Sequence, residues 1–119
     1  MSFRVAAAAG LLLVCAGCGS STPSTPTRVP VNTPVSIVPS AASQGTNAYN
    51  PNPVALKVGD SITWTNNDTR NHTMTENTGA WNSGNIAPGA TYTLTFSTKG
   101  SFVYHCALHS GMSGTVNVE

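Results

Sequence analysis

The chain has 119 residues, 39% of them apolar and only 8% charged, which leaves room for one small domain. Five bases (Arg4, Arg28, Lys57, Arg70, Lys99) stand against four acids (Asp60, Asp68, Glu76, Glu119), a formal charge of +1. That balance excludes an electrostatic nucleic-acid reader and a polybasic membrane binder.

Residues 1–17, MSFRVAAAAGLLLVCAG, place one Arg before a short apolar run and end in small residues, the pattern of a secretory signal. The run falls short of the ~20 apolar residues that a spanning helix needs, so the expectation is an exported chain that does not span. Cys18 follows Ala16-Gly17 and precedes GSSTPSTPT. This arrangement resembles the lipobox of bacterial lipoproteins, and the resemblance implies lipidation of Cys18. Residues 18–34 then read as a tether: Ser, Thr and Pro with almost no large apolar residue bury too little surface to fold. Its prolines Pro23, Pro26, Pro30 and Pro34 favour an extended form, up to ~50 Å at ~3.1 Å per residue.

The folded domain is expected over residues 35–119, where apolar and polar residues alternate in short runs broken by Gly, Pro and Asn. The predicted strands are Val35–Pro39, Val54–Val58, Ser61–Thr65, His72–Thr75, Thr91–Ser97, Ser101–Cys106 and Gly114–Val118. Short strands at regular spacing argue for an all-β sandwich or closed barrel. Alternation sets Tyr92, Leu94 and Phe96 on one face and Thr91, Thr93 and Thr95 on the other. Phe102, Tyr104 and Cys106 share a face in the next run, and Lys99-Gly100 between the two runs predicts a hairpin turn. Trp64 lies mid-strand and reads as core; Trp81, in a turn-rich stretch, reads as a cover over one end. No window outside the signal has helical periodicity, and there is no internal repeat.

Of three cysteines, Cys15 leaves with the signal and Cys18 carries lipid. Cys106 remains unpaired in an oxidising compartment and asks for a role. It sits in FVYHCALHSGMSGTVNV, where Cys106, His109 and Met112 form a C-x-x-H-x-x-M spacing in a short loop with a strand on each side. Thiolate, imidazole and thioether make a soft donor set suited to copper in both oxidation states. His72 offers the second imidazole, since a Greek-key sandwich can bring the loop NNDTRNHTMT beside the other. Two His and one Cys with a weak axial Met make the blue-copper arrangement. His105 precedes Cys106, points to the opposite face of the strand and reads as an outward or inter-strand polar residue.

The sequence resembles the cupredoxin family, most closely its small plastocyanin- and amicyanin-like members. The resemblance rests on Val58-Gly59-Asp60 through Trp64-Thr65-Asn66, on His72, on Ile86-Ala87-Pro88-Gly89, on the run Gly100–Cys106 and on the ligand loop. It implies a Greek-key β-sandwich of seven to eight strands and one copper ion held by His72, Cys106, His109 and Met112. Thr73 stands where many members have Asn, and its backbone N–H is expected to reach the Cys106 sulfur. The resemblance also implies a monomeric electron carrier, with no catalysis of its own, between redox protein partners in the periplasm or at the outer face of the membrane. Partners would dock weakly on an apolar patch around His109 lined by Ala107, Leu108, Met112 and Pro88, because charge is nearly absent there. The alternatives are a copper chaperone or store and a zinc domain built on Cys106 and two His. Scattered carboxylates, and the absence of any Walker loop, nucleophile elbow or second set of metal ligands, argue against an enzyme. The matches Asn67-Asp68-Thr69 and Asn71-His72-Thr73 to the glycosylation pattern are fortuitous beside a bacterial signal.

Overall fold

The computed structural model describes Gly17, Gly19 and residues 23–119. Cys18, and the signal segment apart from Gly17, lie outside the described residues. Eight strands occur in chain order: β1 Asn32–Ile37, β2 Tyr49–Asn50, β3 Val54–Leu56, β4 Ser61–Asn66, β5 Thr75–Glu76, β6 Thr91–Thr95, β7 Gly100–His105 and β8 Ser113–Val118. They form two four-stranded sheets, ordered β2-β1-β4-β6 and β3-β8-β7-β5. β1 runs parallel to β4 and β3 parallel to β8, while the remaining pairs are antiparallel. The Greek-key all-β sandwich expected from the sequence is the observed architecture.

Period-two alternation explains why the sheets close on each other. In β4 the inward residues Ile62, Trp64 and Asn66 are buried, and their neighbours Ser61, Thr63 and Thr65 are not. In β8 Gly114, Val116 and Val118 face in. Trp64, fully buried, donates its indole N–H to the Tyr104 hydroxyl at 3.2 Å. Trp81 is half-buried against both rings, 5.8 Å from Trp64 and 5.6 Å from Tyr104 between centroids.

Several expectations need correction. Lys99-Gly100 does not close a hairpin: β6 pairs with β4, whereas β7 pairs with β5 and β8, so the chain crosses from one sheet to the other there. Local turn chemistry allowed a hairpin, but Phe96 and Phe102 pack across the gap with tilted rings, centroids 5.8 Å apart. β1 begins at Asn32, inside the stretch read as tether, and includes Pro34. A proline is tolerated there because β2 pairs only with Ser36 and Ile37, leaving the start of β1 without a neighbour on that side. The strand expected at His72–Thr75 begins only at Thr75, and His72 instead makes a single bridge to Ile86. Two short 3₁₀ turns, Ala41–Ser43 and Gly45–Asn47, and β2 fill a stretch with no predicted element.

The parallel β1–β4 pair and the antiparallel β7–β8 pair set the ends of the sandwich. At one end β4 runs into the loop that carries His72, and β7 and β8 flank the loop that carries Cys106, His109 and Met112. At the other end backbone hydrogen bonds join residues 58–60 to Phe96 and Glu119: Gly59 N–H to Phe96 O at 2.8 Å, Phe96 N–H to Asp60 O at 2.8 Å and Val58 N–H to Glu119 O at 3.0 Å. Arg28 and Val31 are tied to this second end, both donating to the Asp60 carboxylate, at 2.7 and 2.8 Å.

Candidate metal centre

The site is built from β4 upward. Asn66, the last residue of β4, is fully buried, and a buried amide must find partners for all its polar atoms. Its side-chain NH2 donates to the carbonyls of Arg70 at 2.7 Å and Ile86 at 2.9 Å, and its Oδ1 accepts the Asp68 N–H at 3.0 Å. These bonds fold the following loop back over the strand. His72 is then held by the two-way bridge to Ile86, 3.1 Å from its N–H and 2.7 Å to its carbonyl. Its ring is 0% exposed, and Nε2 lies 2.7 Å from Asp68 Oδ2.

The other ring nitrogen of His72 faces the cysteine. Cys106, buried directly after β7, has its Sγ 3.7 Å from His72 Nδ1 and 3.6 Å from His109 Nδ1. The two imidazole centroids are 4.9 Å apart, and all three donor atoms lie within 4.8 Å of one another. Sulfur and two unsubstituted ring nitrogens aimed at one point form a pocket for a single ion. The softness of that donor set fits copper in both its oxidation states. Met112 is also buried, at the other end of the same short loop. Cys106 is the free cysteine among the described residues.

Thr73 ties the two ligand loops together. Its backbone N–H donates to Cys106 Sγ at 3.4 Å, as expected, and its hydroxyl accepts the Ala107 N–H at 2.8 Å. Such bonds to sulfur tune a metal bound to it. Asp68 is the buried charge beside the site. Burial alone would raise its pKa, but the His72 ring and the backbone N–H groups of Ser40 and Thr69 outweigh burial and hold the carboxyl at about 2.

The sequence pattern pointed to His72, Cys106 and His109, and the fold brings them together; Met112 is buried in the same loop. One expectation fails in part: Met112 is 1% exposed and lines no surface patch, since its position before β8 turns it inward. Ala107, Leu108 and Pro88 are exposed, and His109 is half-buried among the loop residues. His105 points away from the site and shares a hydrogen bond with Asn77 Oδ1 at 2.6 Å, an outward polar role as read from alternation. Sequence reasoning missed Asn66, Asp68 and the Thr73 hydroxyl. The signal was a cluster of short polar side chains at a strand end just before a ligand-type His, where turn propensity alone explained every residue.

Comparison with known proteins agrees with this geometry. The chain is 35% identical over 91 residues to the chloroplastic plastocyanin of Tetradesmus obliquus, covering 66% of this chain and 63% of that protein. It is 31% identical over 91 residues to the plastocyanin of Scenedesmus fuscus, covering 66% of this chain and 93% of the relative. Among solved structures it is similar to a purple cupredoxin from Nitrosopumilus maritimus, with a TM-score of 0.67, 26% identity, and 73% and 99% of the two chains covered. It is also similar to a copper(I) form of an amicyanin variant, with a TM-score of 0.62, 26% identity, and 74% and 82% covered. The family of copper binding proteins of the plastocyanin/azurin type matches residues 37–119. With a soft His-Cys-His cluster at one end of a Greek-key sandwich and that family match over most of its length, the chain belongs to the plastocyanin/azurin family of copper binding proteins and takes one copper ion.

Proposed function

We propose that His72, Cys106 and His109 hold the copper ion with Met112 as a weak axial ligand, and that the protein carries single electrons between redox proteins without chemistry of its own. The observation that carries this reading is the convergence of two Nδ1 atoms, at 3.7 and 3.6 Å, on one buried sulfur. Copper, when bound, supplies a one-electron couple. The chain's part is to keep the donors where both oxidation states accept them: His72 is pinned by Asn66, Ile86 and Asp68, and Cys106 by the Thr73 N–H. Little reorganisation then accompanies electron transfer. Ala107, Leu108 (49% exposed) and Pro88 are exposed and His109 is half-buried; an apolar patch of these residues around His109 favours small, short-lived contacts with partners.

The exported, anchored location belongs to the same proposal. Residues 1–17 act as the signal, Cys18 carries lipid, and the stretch before β1 connects it to the domain. Among the described residues no helix is long and apolar enough to cross a membrane. Arg28 and Val31 dock at the end of the sandwich remote from the ligand loops, so an anchor at Cys18 leaves the copper end turned toward partners.

The test is visible spectroscopy with a redox titration on copper-loaded protein. An intense blue that bleaches reversibly on reduction is expected, and Cys106→Ser is expected to lose it. Blue colour retained in that variant overturns the ligand assignment, and a pale, copper(I)-selective site points to metal delivery instead. Mass spectrometry of the N-terminus of native protein decides the anchor: an unmodified Cys18 retires it.

A further inference from the structure

We infer that Asp68 is a positioning residue for the copper site: its buried carboxylate sets which nitrogen of His72 is free to bind metal, and its charge favours copper(II) over copper(I). The inference rests on the ligand set proposed above.

Asp68 and His72 are 5% and 0% exposed at the side chain and meet at 2.7 Å between Oδ2 and Nε2. The other carboxylate oxygen is already occupied, since Oδ1 accepts the N–H of Ser40 at 3.0 Å and of Thr69 at 2.8 Å. Neither oxygen can rotate away without giving up one of these bonds. An ionised carboxylate only accepts hydrogen bonds, so Nε2 must be the nitrogen that carries the proton. In the neutral ring this leaves Nδ1 with its lone pair, and Nδ1 is the atom that faces Cys106 Sγ. The carboxylate thus fixes ring orientation and tautomer before any ion arrives, as outer partners of metal-bound imidazoles generally do. The two N–H donors on Oδ1 favour the ionised carboxyl, which is the ordinary form of an aspartate at neutral pH. Apart from it, the nearest ionisable side chain on this loop is Arg70, which is exposed. An anion in contact with a ligand ring stabilises the more positive oxidation state.

Asp68→Asn separates these effects from simple loop bracing. Two backbone N–H groups claim the position of Oδ1, so the amide must turn its carbonyl there and its NH2 toward Nε2. A donor then faces a donor, and the ring is relieved only by moving its proton to Nδ1, the metal-binding position. The expected result is a folded, metal-free variant whose copper(II) affinity falls roughly 10–100-fold and whose reduction potential rises. The rise is about 59 mV for each tenfold by which copper(II) loses more affinity than copper(I). A folded variant with unchanged affinity and potential overturns the inference. Should the variant fail to fold, metal-free wild-type protein at mildly alkaline pH decides by long-range ¹H–¹⁵N correlation of the His72 ring. A proton on Nε2 supports the inference, and a proton on Nδ1 alone overturns it. Failure of the ligand set is told apart by the wild-type protein not turning blue with copper.

Discussion

Thr73 shows how one side chain can join two loops distant in sequence. Its N–H reaches the Cys106 sulfur and its hydroxyl accepts the Ala107 N–H at 2.8 Å while also bonding the Thr75 hydroxyl at 2.9 Å. Thr73→Val keeps shape and the backbone donor but leaves the Ala107 N–H without its acceptor. The expected cost is about 0.5–1.5 kcal/mol of stability for the lost hydrogen bond, read as a lower denaturation midpoint of the metal-free protein, with the blue colour retained. Loss of colour with unchanged stability would contradict this division of labour. At this scale the proposed metal donors were legible and their supports were not. Cys106, His109 and His72 announce themselves by chemistry, because thiol and imidazole in this spacing have few bland uses. Asn66 and Asp68 carry the same residue types as any turn, and only their burial marks them as structural partners of the site.

Among the elements, the β7–β8 pair decides how tightly the ligand loop is held. Tyr104 lies opposite Gly114 in the register, and its ring covers the glycine so closely that an added Cβ would overlap it. The ring cannot retreat, since it is fully buried between Tyr49, at 4.8 Å, and Trp64, which donates to its hydroxyl. Burial likewise raises the Tyr104 phenol well above its ordinary range. Gly114→Ala is therefore expected to cost about 1–3 kcal/mol through overpacking, measured by denaturant unfolding with an unchanged slope. A neutral substitution would show that the ring has room to shift. Strands β4, β6, β7 and β8 were readable from alternation because in each one face is more buried than the other. Their partners were less so: Lys99-Gly100 suits a hairpin locally, yet β6 and β7 belong to different sheets. Pro34 likewise suggested a tether and instead sits on the unpaired side of β1.

Across the whole molecule the two ends of the sandwich do different work. The end remote from the ligand loops is closed by Asp60, whose carboxylate accepts the N–H groups of Val31 at 2.8 Å and Lys57 at 3.0 Å and pairs with Arg28 at 2.7 Å. The backbone bonds to Val31 and Lys57, helped by Arg28, outweigh burial and lower its pKa from 3.8 to about 2. A carboxyl depressed in the folded state adds stability above its unfolded value, and that stability is lost as pH falls through the folded one. Asp60→Asn should thus be less stable than the wild type at neutral pH, with the gap closing between pH 3.8 and about 2. An offset independent of pH across that window would assign the effect to packing instead.

By itself the amino-acid order determined the class of fold and the metal-binding chemistry, because period-two burial and soft donors at short spacing are local properties. Tertiary structure alone decided which strands pair across the sandwich, that Met112 turns inward, and that Asp68 backs His72. Those outcomes depend on contacts between segments far apart in the chain, where burial converts an ordinary polar residue into a partner that must be satisfied.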